Sequence, residues 1–390
     1  MKAIPRTVWA LGLVSMFMDI SSEMIHSLLP IFLISVLNAS TVSVGLIEGI
    51  AEALALITKT FSGVWSDRMG RRKALVFAGY AIGTFTKPLF AVAQSIGMVF
   101  TARFLDRMGK GIRGAPRDAL VADATPAEIR GAAYGLRQSL DTVGACCGPL
   151  LATLFMGLTN GNYRLVFWVA VVPGLFALIT IFFGVAEPAP QKNGSAQRPS
   201  IFRGIGQMGS AFWMVILIGS TFSLARFSEA FLLLRAQSVG LPPAAIPIIL
   251  VLMNAFYALS AYPIGKRSDQ MGRSGLLAAG LGILMISNLI LAMALKPWHV
   301  AMGAVLWGIH MGLTQGLLAA MVADNAPPSL RGTAFGLFSF ASGLAILGAN
   351  VIAGSLWQWY GPDMAFWAGV IFSTATLLGY LALKSQLRIK

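Results

Sequence analysis

Charge is scarce in this sequence. Of 390 residues, 11% are charged and 56% hydrophobic; soluble domains carry about a quarter charged residues, so a soluble globular chain is excluded and an integral membrane protein is expected. Cysteine is nearly absent. The two that occur, Cys146 and Cys147, are adjacent within an apolar stretch and say nothing of redox compartment. They read as packing residues of a small-residue helix, with a thiol or metal role as the alternative. No phosphate-binding Gly-rich loop, zinc-ligand spacing or nucleophile motif is present, so neither an ATPase nor an intramembrane enzyme is expected, and no cofactor beyond an ion gradient. The net charge of +14 has no basic soluble stretch to carry it, which argues against nucleic acid as a partner.

What the chain does have is long apolar runs. Twelve candidate spans lie near 7–37, 41–66, 73–94, 96–122, 129–158, 164–186, 209–236, 243–266, 274–295, 298–323, 329–358 and 363–384, each with the roughly 20 residues a bilayer requires. The segment 187–207 is the one long polar stretch with Pro, Gly and Ser. It reads as a cytoplasmic linker between two six-span halves, 1–186 and 208–390. With both termini cytoplasmic, the basic loop residues fall inside, among them Arg68, Arg71, Arg72, Lys73, Arg130, Arg203 and Arg273, and the outer loops keep Arg164 and Lys296. That bias follows the positive-inside rule and places the protein, multi-pass, in the cell (inner) membrane. The first span is too long and too charged for a cleavable signal peptide, so the N-terminus is expected to be retained.

Against this apolar background one span is crowded with charge. Arg103, Asp106, Arg107, Lys110, Arg113, Arg117 and Asp118 all belong to the fourth span. At about 100° per residue they share an arc of roughly 140°, with Phe104, Leu105, Met108 and Ile112 opposite. An ionisable group at bilayer depth costs roughly 2.5–3.5 kcal/mol, and it usually faces a water-filled cavity or a counter-charge. The chain is therefore expected to enclose a polar pathway. Counter-charges stand on other spans: Asp19, Glu23 and His26, with Ser22 and Pro30, on one face of the first, Glu48 and Glu52 on the second, Arg137 and Asp141 on the fifth, Arg226 and Glu229 on the seventh, and His310 beside Trp307 and Thr314 on the tenth. For any one of these charges a structural ion pair is the alternative reading. Lys87 and Arg235 are expected nearer the outer interface, where long basic side chains snorkel.

The two halves also repeat each other. Gly63-Val-Trp-Ser-Asp67-Arg68-Met-Gly70-Arg71 returns as Gly265-Lys-Arg-Ser-Asp269-Gln-Met-Gly272-Arg273, and Val121-Ala-Asp123 returns as Val322-Ala-Asp324, 201 to 202 residues on. Parallel six-helix repeats with a site at their interface are one build of secondary transporters. At these residues the chain resembles the major facilitator superfamily, in its twelve-span proton-coupled antiporter and efflux branch. The resemblance implies an all-α fold of two pseudo-symmetric six-helix bundles. It implies that Gly63, Asp67, Arg68, Gly70 and Arg71 form a cytoplasmic gating motif, with Asp67 at a helix N-terminus and Arg71 paired to Asp123. Arg107-x-x-Lys110-Gly111-x-Arg113-Gly114 resembles a second family motif, with Lys110 where Gln is usual and Arg113 where Gly is usual, which makes the site more cationic. Gly135, Gly144, Gly148 and Pro149 resemble the motif associated with antiporters, although Ala152 replaces its last glycine.

The function these readings imply is export of a small organic molecule in exchange for protons, by alternating access in a monomer, with Glu23, Asp19 or Glu52 carrying the proton. The alternative is proton-coupled uptake of an anionic solute, which the basic residues favour. Metal-ion export through Asp19, Glu23 and His26 is less favoured because five bases stand nearby, and a transport-dead receptor in the same fold is a further possibility.

Overall fold

The computed structural model describes residues 4–69, 71–187, 206, 208–271, 273–314, 316–327 and 330–383, without the side chains at 67, 68, 127 and 262–274. These residues fold as α1 (Arg6–His26), α2 (Leu29–Ser35), α3 (Thr41–Met69), α4 (Arg72–Phe85), α5 (Lys87–Ala91), α6 (Ile96–Asp123), α7 (Arg130–Leu158), α8 (Tyr163–Val169), α9 (Val171–Gly184), α10 (Ser210–Ala225), α11 (Ala230–Ser238), α12 (Ile248–Met271), α13 (Arg273–Ala292), α14 (Pro297–Thr314), α15 (Leu317–Asn325), α16 (Arg331–Tyr360) and α17 (Pro362–Leu383). No strand occurs among the described residues. Eleven helical stretches are long and apolar enough to cross a membrane. α6 is not among them because of its charges, yet its 28 residues are about 42 Å long at 1.5 Å per residue, ample for a bilayer.

Several spans are broken, and sequence explains where. The first breaks at Ser27–Leu28, ahead of Pro30, and the third at Thr86, ahead of Pro88. A proline at the start of the second piece gives up an N–H that has no helical partner there. The seventh is unwound from Arg226 to Glu229. Ser27 and Ser228 differ by the 201-residue repeat, so the two breaks are counterparts, as in transporters whose discontinuous helices mark the site. α14 gives way to α15 through Gly316, whose φ of +76° lies in the left-handed region that a side chain disfavours.

Contacts divide the chain into two units: 1–39 with 54–194 and 242–251, and 40–53 with 195–241 and 252–390. Relative to halves at 1–186 and 208–390, residues 40–53 and 242–251 change places. Of the linker 187–207, only Glu187 and Gly206 lie among the described residues. In the first unit α1 packs on α7 and α9, and α4 on α6 and α9, around a core that includes Val8, Leu11, Met18, Val76, Leu120 and Ile181. In the second, α13 packs on α14 and α17, and α10 on α16 and α17, around Phe212, Val215, Leu277, Leu281, Val322 and Tyr380. Leu158, Phe183, Leu295 and Ile371 are exposed, as side chains that meet lipid tails must be.

Two arginines close the ends of broken or shortened helices. Arg164 donates to the Ala93 carbonyl at 3.0 Å. In the second unit, buried Arg235 donates to the carbonyls of Leu291, Ala292 and Ala294 at 2.9, 3.1 and 2.8 Å. Ala93 and Ala294 are again 201 residues apart. Arg235 therefore does not snorkel: its guanidinium satisfies the orphan carbonyls at and just beyond the end of α13. Arg235→Met is expected to cost about 3–5 kcal/mol by stripping buried acceptors of their donor. Thermal unfolding followed by detergent gel filtration should show the loss, with Arg235→Lys recovering only part of it.

Candidate functional site

The charged face of α6 is built by close packing. A Cβ on Gly79 of α4 would lie 2.7 Å from the Gly109 carbonyl, and one on Gly111 would lie 2.9 Å from the Ala55 carbonyl. Glycines on α4 and α6 thus let α3 and α4 approach α6 until the basic side chains are enclosed, and Arg103, Asp106, Arg107 and Arg113 are all buried. Arg113 lies over the Tyr80 ring with Cζ 4.5 Å from its centroid, a cation–π contact of the kind that desolvation strengthens. Arg117 donates to Ser15 Oγ at 2.7 Å and to Tyr80 at 3.4 Å.

The acids of the first unit are distributed along this face. Asp106 accepts from Lys87 Nζ at 2.7 Å, and the same ammonium donates to Ser22 Oγ at 3.0 Å. Lys87 is buried within the unit instead of snorkelling, because Thr86 ends α4 and the chain restarts inside it. Asp118 lies within 3.4 Å of Arg117, 3.7 Å of Lys59 and 3.9 Å of Arg137. Arg137 donates to Asp141 at 2.6 Å, one turn along α7. Glu23 sits 3.4 Å from His26 Nδ1, with Lys110 and Arg107 as electrostatic neighbours. Asp19 has Asp141, Lys110, Arg113 and Arg117 around it. α1 reaches these positions through two glycines of α7: a Cβ on Gly144 would lie 2.6 Å from the Met16 carbonyl, and one on Gly148 would lie 2.7 Å from Glu23 Cβ.

In the second unit the polar groups gather at the break between α10 and α11. The Ser228 N–H donates to Asn350 Oδ1 at 2.8 Å, and its hydroxyl donates to the fully buried Glu48 at 3.4 Å. Glu229 caps α11 and Arg226 ends α10. His310, fully buried beside Phe222, donates from Nδ1 to the Gly280 carbonyl at 2.8 Å, with Arg226 as a charged neighbour. Phe227 meets the rings of Phe231, Trp307 and Phe366, so the unwound turn is roofed by aromatic side chains. Among the described residues no three His, Cys, Asp or Glu side chains converge to hold a metal ion.

Residues 11–234 and 215–387 match the profile of the Major Facilitator Superfamily. The chain belongs to that family. An uncharacterized MFS-type transporter of Methanocaldococcus jannaschii is 34% identical over 379 residues, covering 95% of this chain and 93% of the relative. A gentisate transporter of Corynebacterium glutamicum is 26% identical over 377 residues, covering 90% and 81%. The crystal structure of the nucleoside transporter NupG superposes with a TM-score of 0.79 at 11% identity, covering 97% of this chain and 99% of that one. This protein is thus a multi-pass membrane transporter of the superfamily, with its fold.

The sequence-derived candidates separate by unit. Asp19, Glu23, His26, Arg103, Asp106, Arg107, Lys110, Arg113, Arg137 and Asp141 lie in the first, and Glu48, Glu52, Arg226, Glu229 and His310 in the second. Of the gating motif, Gly70 and the side chains of Asp67 and Arg68 lie outside the described residues. Gly63 sits against Ala115. The partner of Asp123 is Arg72, at 3.0 Å, and not Arg71. Arg71 caps the start of α4 with an exposed side chain, so the first helical residue inherits the pairing. A Cβ on Gly135 would meet nothing within 4 Å, so only Gly144 and Gly148 of that motif seat another helix. Sequence reasoning placed Ser22 on the charged face of the first span but missed Tyr80, Ser228 and Asn350. Neutral polar residues in apolar spans carry little signal, although Ser228 lies 201 residues after Ser27 at the matching break.

Proposed function

We propose that this transporter moves a small organic anion across the cell membrane together with protons, in the direction of uptake. The observation that carries the reading is the charge of α6. Arg103, Arg107, Lys110, Arg113 and Arg117 outnumber Asp106, Asp118 and Asp123 five to three, and of these acids Asp106 is engaged by Lys87 and Asp123 by Arg72. A face with that excess of positive charge in a low-dielectric setting favours a carboxylate over a cation or a neutral solute. The gentisate transporter among its relatives is named for such an anion. Glu23 beside His26, with Asp19 one turn before it, supplies groups able to take up and release a proton next to that face.

Export by proton antiport is the second reading, supported by the glycine spacing in α7. The glycines at 144 and 148 serve to bring α1 and α7 together, a role equally suited to either direction. The test is uptake into proteoliposomes carrying a pH-sensitive dye, with gentisate, succinate and uridine as probes. Inward accumulation of an acid with alkalinisation outside is expected when the outside is acidic. Uridine transport without acid transport would overturn the reading, and acid efflux driven by inward proton flow would replace it with antiport.

A further inference from the structure

Trp307 and His310 stand one turn apart on α14, both fully buried, and among the described residues neither the indole Nε1 nor the imidazole Nε2 has a hydrogen-bond partner. Buried polar atoms are rarely left so. The two are chemically complementary. Indole Nε1–H can only donate, and His310 gives its Nδ1 proton to the Gly280 carbonyl at 2.8 Å, so the neutral ring presents a lone pair at Nε2. A hydroxyl answers both: its oxygen accepts from an indole and its proton goes to an imidazole.

The fold does not require these rings. In the first unit, 201 residues earlier, Gly79 and Gly109 stand in place of Gly280 and His310, and a Cβ on Gly109 would lie 2.7 Å from the Gly79 carbonyl. There the two helices meet backbone to backbone. A substrate hydroxyl and a resident water share the chemistry that the rings of the second unit call for, and the surroundings favour the substrate. Phe222 lies 5.4 Å from the His310 ring and Phe227 lies 5.8 Å from Trp307, apolar walls suited to an aromatic body. Arg226 is the charged neighbour of His310, a counter-charge for an acid. Phe227 belongs to the unwound turn at 226–229, through which no helical ladder runs, so it can shift to admit a ligand where a side chain of a packed helix would not.

We propose that Trp307 and His310 form a subsite of the second unit that recognises a hydroxyl on the ring of an aromatic acid. This rests on the reading of the substrate as an organic anion and narrows it to hydroxylated aromatic acids. Two variants remove one partner each. Trp307→Phe keeps a ring beside Phe227 but has no N–H, and His310→Asn keeps a donor for the Gly280 carbonyl but has no Nε2. Neither replaces an acid, an arginine or a lysine.

The measurement is equilibrium binding of benzoate, of 2-, 3- and 4-hydroxybenzoate and of succinate to purified, monodisperse protein. The wild type should bind the best hydroxybenzoate about tenfold more tightly than benzoate, as expected when a ligand hydroxyl satisfies buried polar groups. Each variant should lose that preference to within about twofold while keeping its affinity for benzoate within about threefold of the wild type. Because the preference is a ratio within one protein, a general loosening or an altered field cancels from it. Variants that bind benzoate and hydroxybenzoate more weakly by the same factor show the rings to be structural, and that overturns the proposal. A wild type that binds benzoate and all three hydroxybenzoates equally assigns the two atoms to a resident water and overturns it without any variant. If one variant is not recovered folded, the ratio in the other decides. If the wild type binds none of these acids, the anion reading fails and this inference with it; if it binds benzoate or succinate without a preference for the hydroxyl, only the subsite fails.

Discussion

Gly148→Val is expected to remove most of the folded protein from the membrane fraction, whereas Gly135→Val is expected to be nearly silent. A Cβ at 148 would lie 2.7 Å from Glu23 Cβ and 2.9 Å from the Ile20 carbonyl, and one at 144 would meet the Met16 carbonyl at 2.6 Å. These neighbours include backbone of α1, which cannot rotate away as a flexible side chain could. Inserting a branched side chain forces the two helices apart, and overpacking of this kind costs about 3 kcal/mol or more. Gly135 belongs to the same sequence pattern but faces open space, so it is the internal control. Cys146→Ala and Cys147→Ala, on the same helix and only half-buried, should also leave yield and transport near wild type. Fluorescence-detected gel filtration of the five proteins would decide, and a well-folded, active Gly148→Val would sink the close-contact account.

The second large effect is expected at Glu23. Glu23→Gln should fold and should still exchange labelled for unlabelled substrate across a proteoliposome membrane, yet lose uphill accumulation driven by a pH gradient by tenfold or more. The glutamine amide keeps the shape and can still meet His26, but it cannot take a proton on one side and release it on the other. The neighbouring Arg107 and Lys110 would then face a permanently neutral group. Arg107→Ala should produce the complementary defect, weaker anion binding with exchange and accumulation lost together, because it removes charge from the proposed anion face. Full accumulation by Glu23→Gln would transfer the coupling role to Asp19 or Glu52.

Much of this arrangement was legible in the sequence because it depends on periodicity. The charged arc of α6 follows from 100° steps, and the repeat of 201 residues aligns the two halves with each other. The superfamily resemblance at Gly63–Lys73 agreed with the profile match over nearly the whole chain. Depth was harder to read. Lys87 looked like an interfacial residue because a continuous helix would carry it outward, but the stop at Thr86 and restart before Pro88 leave it level with Asp106. The exchange of Arg71 for Arg72 as partner of Asp123 has a similar origin, since a one-residue change in where α4 begins rotates every following side chain by about 100°. Contacts from hydroxyls and amides, such as Ser22 to Lys87 or Asn350 to Ser228, depend on tertiary placement that no local pattern encodes.

Asp118, shared by Arg117, Lys59 and Arg137, implies an uneven tolerance to change. Each cation has other company or other exposure: Arg117 has Ser15 and Tyr80, Arg137 has Asp141, and the Lys59 side chain is 54% exposed. Losing any one of them leaves the acid with two. Losing the acid leaves Asp141, already bound to Arg137, to face three positive groups, so this cluster is redundant on its basic side and has little to spare on its acidic side. A saturation scan should find many accepted residues at 59 and few at 118, although neither position looks special when its own burial is considered alone.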